Sequence, residues 1–339
     1  MKEIYCPLCK KKNNKMYCTA QDNQNKKEHK EQFTVVQCND CHFLYLNPVP
    51  QKEVIATYYP EYYWVGEKKK LMERIFPFLF SASREKARYI KKYKAQGNLL
   101  DIGCAEGFFL KHMKEQGWDV TGIDFSTQAV LYGKNHFGLE LYAGEVTELK
   151  KEIKKKFDVI TLWATLEHIY DPVETLTCIH SMLKKDGLLI FAVPNMDSLQ
   201  AKIFGKHWLH LDVPRHLCFF TPETVKLLCE KTGFSIKDIS YQSREHNPGG
   251  WVYSFLYHMR DEKNNFFDKK RSMNTEIIKK SNGLDSRNEK PKMSVSKKIF
   301  YWSIDNILIT LSIPLTYIEG MFKSGGTITV IAEKKVFKK

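Results

Sequence analysis

N-L-L-D-I-G-C-A-E-G-F-F-L, running from Asn98 to Leu110, joins a short apolar run to a glycine-spaced turn and then to a second apolar run. Strand, ligand loop and helix in that order form the opening unit of a doubly wound α/β sheet. Gly103, Ala105 and Gly107 keep the turn free of bulk, so backbone N–H groups at the helix start can approach a ligand closely. The spacing is D-x-G-x-A-x-G rather than the dinucleotide pattern G-x-G-x-x-G, and Asp101 stands before the first glycine. A carboxylate there repels a pyrophosphate and attracts a ligand that carries positive charge. Asp124 ends the next apolar run, Trp118 to Ile123, where a ribose diol is held in such folds. The plainer alternative is that both aspartates only end strands and cap helices.

The pattern continues outward from this unit. Phe108 to Gln116 reads as helix stopped by Gly117, and Ser126 is placed to cap a helix over Thr127 to His136. Phe157 to Trp163 is apolar on both faces, as a buried parallel strand must be. Asp171-Pro172 opens a helix to Leu183, Leu188 to Val193 is a strand, Thr221-Pro222 opens a helix ending at Gly233, and Phe234 to Ser240 is a strand. Alternating strand and helix predicts a parallel sheet with right-handed crossovers.

Five runs now stand in order: L-L-D-I-G-C-A-E-G, G-I-D-F-S, A-G-E-V, F-D-V-I-T-L-W-A-T-L-E-H-I-Y-D-P and M-L-K-K-D-G-L-L-I-F-A-V-P-N. Together they resemble the motifs of class I S-adenosylmethionine-dependent methyltransferases. The resemblance implies a Rossmann-like, doubly wound seven-stranded sheet closed by an antiparallel strand at Thr327 to Glu333. It also implies a cofactor site built from Asp101, Gly103, Ala105, Gly107, Asp124 and Phe125, with Glu145 at the adenine and Trp163 at the end of its strand.

Two stretches are candidates for chemistry. Glu167-His168 matches a position where quinone-pathway O-methyltransferases carry a further carboxylate three residues earlier, in some relatives as a divalent-metal site. Ala164 stands there instead, and two donors are too few for a hard metal, so no catalytic magnesium is expected. His168 is then a candidate base or an orienting group. The loop from His207 to Thr221 gathers His210, Asp212, Arg215 and His216. Sugar C-methyltransferases with an N-terminal zinc module have a similar loop carrying a Glu-His pair. Here the pair is Arg215-His216, which makes His216 a candidate base, or a prop for the loop, and suits Arg215 to gripping a phosphate or carboxylate.

At the N-terminus, Cys6-Pro-Leu-Cys9 and Cys38-Asn-Asp-Cys41 form two C-x2-C knuckles, which together suit a tetrahedral structural zinc. A redox pair and haem attachment at Cys38 to His42 are the competing readings. The polar, lysine-rich stretch from Lys10 to Gln37 is not expected to build a core of its own.

The chain has 339 residues, nine cysteines and a formal charge of +14. Its lysines lie beside Glu, Asn and Asp, which argues against nucleic acid as a partner. The start of the chain shows no apolar signal region, so a cytoplasmic location with reduced or metal-bound cysteines is expected. The aromatic run Tyr58 to Trp64 reads as packing against the main domain, and Leu71 to Lys94 reads as helix. Residues 260–298 read as linker. Ile299 to Phe322 is apolar but interrupted by Asp305, Pro314 and Glu319, and should dock on the catalytic domain or lie on a membrane.

The expected division is a zinc-ribbon module and connector at 1–60, a methyltransferase domain at 61–243, an insertion at 244–323 and the closing strand at 324–339. The expected activity is methyl transfer to a small-molecule acceptor, a sugar or nucleotide-linked sugar carrying phosphate. Quinone or lipid O-methylation is the alternative, ahead of an rRNA methyltransferase or a non-catalytic zinc scaffold.

Overall fold

The computed structural model describes residues 1–23, 31–59, 82–259 and 295–335. Its centre is a seven-stranded sheet. Strands β4 (Asn98–Ile102), β5 (Asp119–Asp124), β6 (Glu140–Ala143), β7 (Phe157–Trp163) and β8 (Leu183–Pro194) run parallel. β10 (Phe234–Ser240) and β11 (Thr327–Lys334) complete it, with β11 antiparallel to both neighbours, in the order β10-β11-β8-β7-β4-β5-β6. This is the expected Rossmann-like architecture.

Alternation along the strands sorts the core into two layers, because successive side chains point to opposite faces. Leu99, Val159, Ile190 and Ile331 join one cluster with Ile90 of α1 (Ala82–Lys91), Phe109 and Met113 of α2 (Phe108–Lys114) and Val130 of α3 (Thr127–Phe137). Their neighbours Leu100, Ile160, Leu189 and Val330 join the other. That layer includes Val146 of α4 (Val146–Leu149), Leu176 of α5 (Pro172–Met182) and Leu228 of α7 (Pro222–Lys231). Local chemistry sets the helix starts: Ser126 caps α3, Asp171 caps α5 ahead of Pro172, and Thr221 with Thr224 forms a capping box on α7.

The N-terminal region departs from expectation. β1 (Asn14–Gln21), β2 (Gln32–Cys38) and β3 (Leu44–Leu46) form an antiparallel sheet whose fourth strand, β9 (Cys218–Phe219), comes from the loop after β8. The Lys10 to Gln37 stretch therefore does enter a core, but a shared one. Phe33, Val35, Leu44 and Leu46 pack with Trp208, Leu211, Val213 and Phe219, and the missing apolar surface comes from residues far along the chain.

A helix α6 (Leu199–Phe204) follows β8, and α8 (Asn247–His258) occupies part of the expected insertion. It packs against the long α9 (Val295–Met321), which continues through Pro314. No helix among the described residues is long and apolar enough to cross a membrane. The aromatic run beyond Tyr59, the first part of the Leu71 to Lys94 helix and residues 260–294 lie outside the described residues.

Candidate active site

The turn after β4 is shaped by close approach. Gly103 has φ +77°, and a Cβ there would stand 2.2 Å from Thr165 Oγ1, so this position excludes any side chain. Ala105, at φ +47°, and Gly107, at φ +82°, carry the backbone round to the start of α2. Asp101 is buried, with Oδ1 accepting from Thr161 Oγ1 at 2.6 Å. Burial pushes its carboxyl up to about 7, against the hydrogen bond from Thr161, and the neighbouring Asp124 charge adds to the rise. Asp124 Oδ2 accepts from Ala105 N at 2.7 Å and Oδ1 from Ser126 N at 2.8 Å, so this carboxylate organises the loop while facing it. Phe125 is exposed immediately beyond.

Two buried carboxylates beside a turn bounded by glycines suit a ligand with a diol and a cationic end, as S-adenosylmethionine has. Glu145 sits at the same end of the sheet, after β6, ion-paired to Lys52 at 2.6 Å. Trp163 is buried against Phe109 and Tyr89, with no hydrogen-bond partner for its indole N–H among the described residues.

His168 and His216 come together although 48 positions separate them in sequence. One follows β7 and the other lies in the loop after β8, both at the carboxyl end of the sheet, and their ring centroids are 4.7 Å apart at 76°. His168 Nδ1 is 2.9 Å from the Arg215 carbonyl oxygen and 3.0 Å from the Tyr59 hydroxyl. His216 Nδ1 is 2.8 Å from the His210 carbonyl oxygen. A carbonyl only accepts, so each Nδ1 carries the proton and each Nε2 keeps its lone pair. Burial lowers both pKa values, that of His216 to about 3 with His168 adding to the effect, so both rings are neutral at physiological pH.

Glu167 completes the group. Its carboxyl is buried, has no hydrogen-bond partner for either oxygen among the described residues, and lies 4.0 Å from His216 Nε2. Burial pushes it up to about 8, with Asp212 adding repulsion. Glu167, His168 and His216 place one donor atom each within 4.8 Å of one another. The sequence count of two possible metal donors was thus one short, because the third is brought in by the fold.

Arg215 does not face an acceptor. It is fully buried, Nε and Nη2 donate to the two oxygens of Asp212 at 3.0 and 2.6 Å, and Nη2 and Nη1 donate to those of Asp22 at 2.8 and 3.0 Å. Nη1 also donates to the Tyr58 carbonyl at 2.8 Å. The expectation that Arg215 grips a phosphate is corrected: its guanidinium is spent on the internal carboxylates of Asp212 and Asp22. Although burial pushes the Asp212 carboxyl up, the charge and hydrogen bonds of Arg215 outweigh it and hold Asp212 at about 2.

The four N-terminal cysteines also converge. Cys6 Sγ to Cys41 Sγ and Cys9 Sγ to Cys38 Sγ are both 3.5 Å, and all four sulfurs lie within 4.8 Å of one another. Thiolates about 2.3 Å from a tetrahedral zinc stand about 3.8 Å apart, so the cluster fits that ion. The two knuckles share one backbone shape. Lys10 and His42, each following the second cysteine, have φ +64° and +59°, and their N–H groups donate to the Cys6 and Cys38 carbonyls.

Comparison with known proteins agrees with this geometry. Residues 72–238 match a family described as "Methyltransferase domain". The ubiquinone biosynthesis O-methyltransferase of Aeromonas salmonicida is 29% identical over 153 residues, covering 42% of this chain and 64% of that protein. The enzyme of the same name from Nitrosospira multiformis is 29% identical over 169 residues, covering 46% and 70%. The chain thus spans about two thirds of the length of these curated relatives. Among solved structures, a SAM-dependent methyltransferase from Archaeoglobus fulgidus aligns with 79% of this chain and 100% of its own at 20% identity, with a TM-score of 0.46. The chain carries a class I, S-adenosylmethionine-dependent methyltransferase domain.

Proposed function

We propose that this chain transfers a methyl group from S-adenosylmethionine to a hydroxyl oxygen of a small-molecule acceptor, with His216 and His168 as its proton acceptors. One observation carries the reading: two neutral imidazoles, each tied through Nδ1–H to a main-chain carbonyl, meet at the end of the sheet that also bears the carboxylate pair. When bound, the cofactor supplies an electrophilic methyl carbon whose bonding pair to sulfur leaves with the sulfur. Asp101 attracts its cationic end and Asp124 accepts from its ribose. An acceptor hydroxyl needs a base as its oxygen attacks, and Nε2 of a neutral imidazole can take that proton. The Asp212 carboxylate, 4.0 Å from His216 Nε2, then stabilises the imidazolium that forms. His168 is only partly buried, which leaves it open to an acceptor.

The curated relatives named for ubiquinone biosynthesis favour an oxygen of a quinone-like or lipid-like acceptor. The sugar-nucleotide alternative leaned on a free arginine, and Arg215 is engaged internally. Zinc at Cys6, Cys9, Cys38 and Cys41 has a structural part in this reading, since four protein ligands leave no open position.

The test is to offer S-adenosylmethionine with catechol-type quinone precursors and, in parallel, with nucleotide sugars, and to follow S-adenosylhomocysteine release and the mass of the acceptor. Methylation of a phenolic oxygen, lost in His216→Ala with cofactor affinity intact, is expected. Methylation of the sugars alone, or full turnover by folded His216→Ala, would refute the reading.

A further inference from the structure

Helix α9 buries polar side chains and leaves an apolar stripe exposed. Among its described side chains the buried ones are Ser312, Thr316 and Glu319, all polar; Thr316 bonds within the helix, to the Ile313 carbonyl, and the other two bond to neighbouring helices. Ser312 Oγ donates to the Pro248 carbonyl of α8 at 3.2 Å, and Glu319 accepts from Gln200 Nε2 of α6 at 3.0 and 3.1 Å. Leu308, Ile309 and Ile313 are half-buried, and other apolar side chains form an exposed stripe. Ile307, Leu311, Leu315, Ile318 and Phe322 are 44% to 77% exposed, and spacings of four, four, three and four residues put them in one stripe. Met321 flanks that stripe at 77% exposure. The patch extends past the helix: the Leu199 N–H of α6 donates to the Ser324 carbonyl, and Leu199 and Ile203 are both exposed.

An exposed apolar stripe of this length marks a surface that meets an apolar phase. The charges at its border choose among the candidates. Arg244 lies 5.8 Å from the Tyr317 ring, Lys323 follows the stripe, and Lys202 and Lys206 flank Ile203, all exposed. Asp197 is the exposed carboxylate next to Leu199, while Glu319, beside Ile318 of the stripe, is withdrawn into the protein. A second copy laid face to face would bring this cationic border against itself, in a chain of formal charge +14. An anionic lipid surface meets both the apolar stripe and its border. The span from Ile307 to Phe322 is about 22 Å along a helix axis, which suits lying in the interface rather than crossing it.

We infer that the outer face of α9, with the exposed edge of α6, docks the protein on an anionic bilayer surface. The inference stands on a different part of the molecule from the methyl-transfer site and survives if the proposed acceptor is wrong. The test is co-sedimentation of the full chain with phosphatidylcholine vesicles and with vesicles also containing phosphatidylglycerol, at low and high salt. Binding to the anionic vesicles is expected to weaken with salt. It should fall at least about tenfold in Leu311→Glu/Ile318→Glu, because each substitution puts a carboxylate where the acyl boundary would be. The melting temperature and cofactor affinity of that variant should match the parent protein, since both positions are exposed. Failure of the parent protein to bind anionic vesicles, or undiminished binding by the variant, would overturn the inference. A concentration-dependent dimer that the variant dissociates, without vesicle binding by either protein, would also overturn it and give the face to a second copy.

Discussion

Buried behind Gly103, the Asp101 carboxyl is pushed from its ordinary 3.8 up to about 7, so near neutrality its charge depends on what stands beside it. An acid with a raised folded pKa costs stability as pH climbs from its unfolded value, near 4, through 7. A cationic ligand reverses that cost by favouring the ionised form. Affinity for S-adenosylmethionine should therefore tighten by about fivefold from pH 6 to pH 7 and about twofold more by pH 8, then level off, with proton release on binding. Calorimetry across that range checks it, and Asp101→Asn should flatten the dependence. A flat profile in the parent protein would take Asp101 out of the site. Arg215 makes the complementary case. Removing it in Arg215→Ala leaves Asp22 and Asp212 as buried charges without their partner, a loss of about 3 to 5 kcal/mol seen as a lowered melting temperature. An unchanged melt with a raised acceptor KM would restore the phosphate-gripping role. Asp101 was readable from sequence because its turn is local. The ion pair of Arg215 with Asp22 was not, because 193 positions separate the partners and spacing carries no information about them.

Among the elements, the catalytic-domain strands were legible because parallel strands buried on both faces show as unbroken apolar runs, and the helix starts because their caps are neighbours in sequence. The small N-terminal sheet was not. β1 exposes half of its side chains and buries only Ala20, and the core under β2 and β3 is supplied by Trp208, Leu211 and Val213. The knuckles, in contrast, were evident from cysteine spacing alone. Cys6, Cys38, Phe43 and Tyr45 belong to the same core as Phe220 and the sheet, and the Phe43 and Phe220 rings are 5.3 Å apart. Loss of zinc should thus be felt well beyond the knuckles. Protein prepared without chelator should contain about one zinc per chain. Cys38→Ser/Cys41→Ser should lose it and melt at lower temperature. Metal analysis with calorimetry checks both, and zinc retained by the double variant would remove these cysteines as ligands.

At the scale of the whole molecule, the N-terminal sheet and the candidate base are one mechanical unit. β9 begins two residues after His216 and pairs with β3, Asp22 at the end of β1 holds Arg215, and the Arg215 carbonyl in turn fixes Nδ1 of His168. Asp101 and Asp124, the carboxylates proposed to hold the cofactor, lie on β4 and β5, outside this chain of contacts. A disturbance at Asp22 should consequently reach the chemistry and spare the cofactor. Asp22→Asn keeps an oxygen for one Arg215 hydrogen bond but withdraws the charge that helps pin the loop. Small misplacements of a reacting group cost up to about 10² in rate, so turnover should fall by about 10- to 100-fold. S-adenosylmethionine affinity should stay within about twofold, because no ribose or ammonium contact has changed, and a difference of that size is below about 0.5 kcal/mol. Steady-state kinetics on an identified acceptor, paired with cofactor calorimetry on the same preparation, separates the outcomes. Equal losses of turnover and cofactor affinity would mean that the variant is broadly unfolded. Normal turnover would mean that the loop bearing His216 is held without Asp22, and that the N-terminal sheet is a neighbour of the site rather than part of its frame.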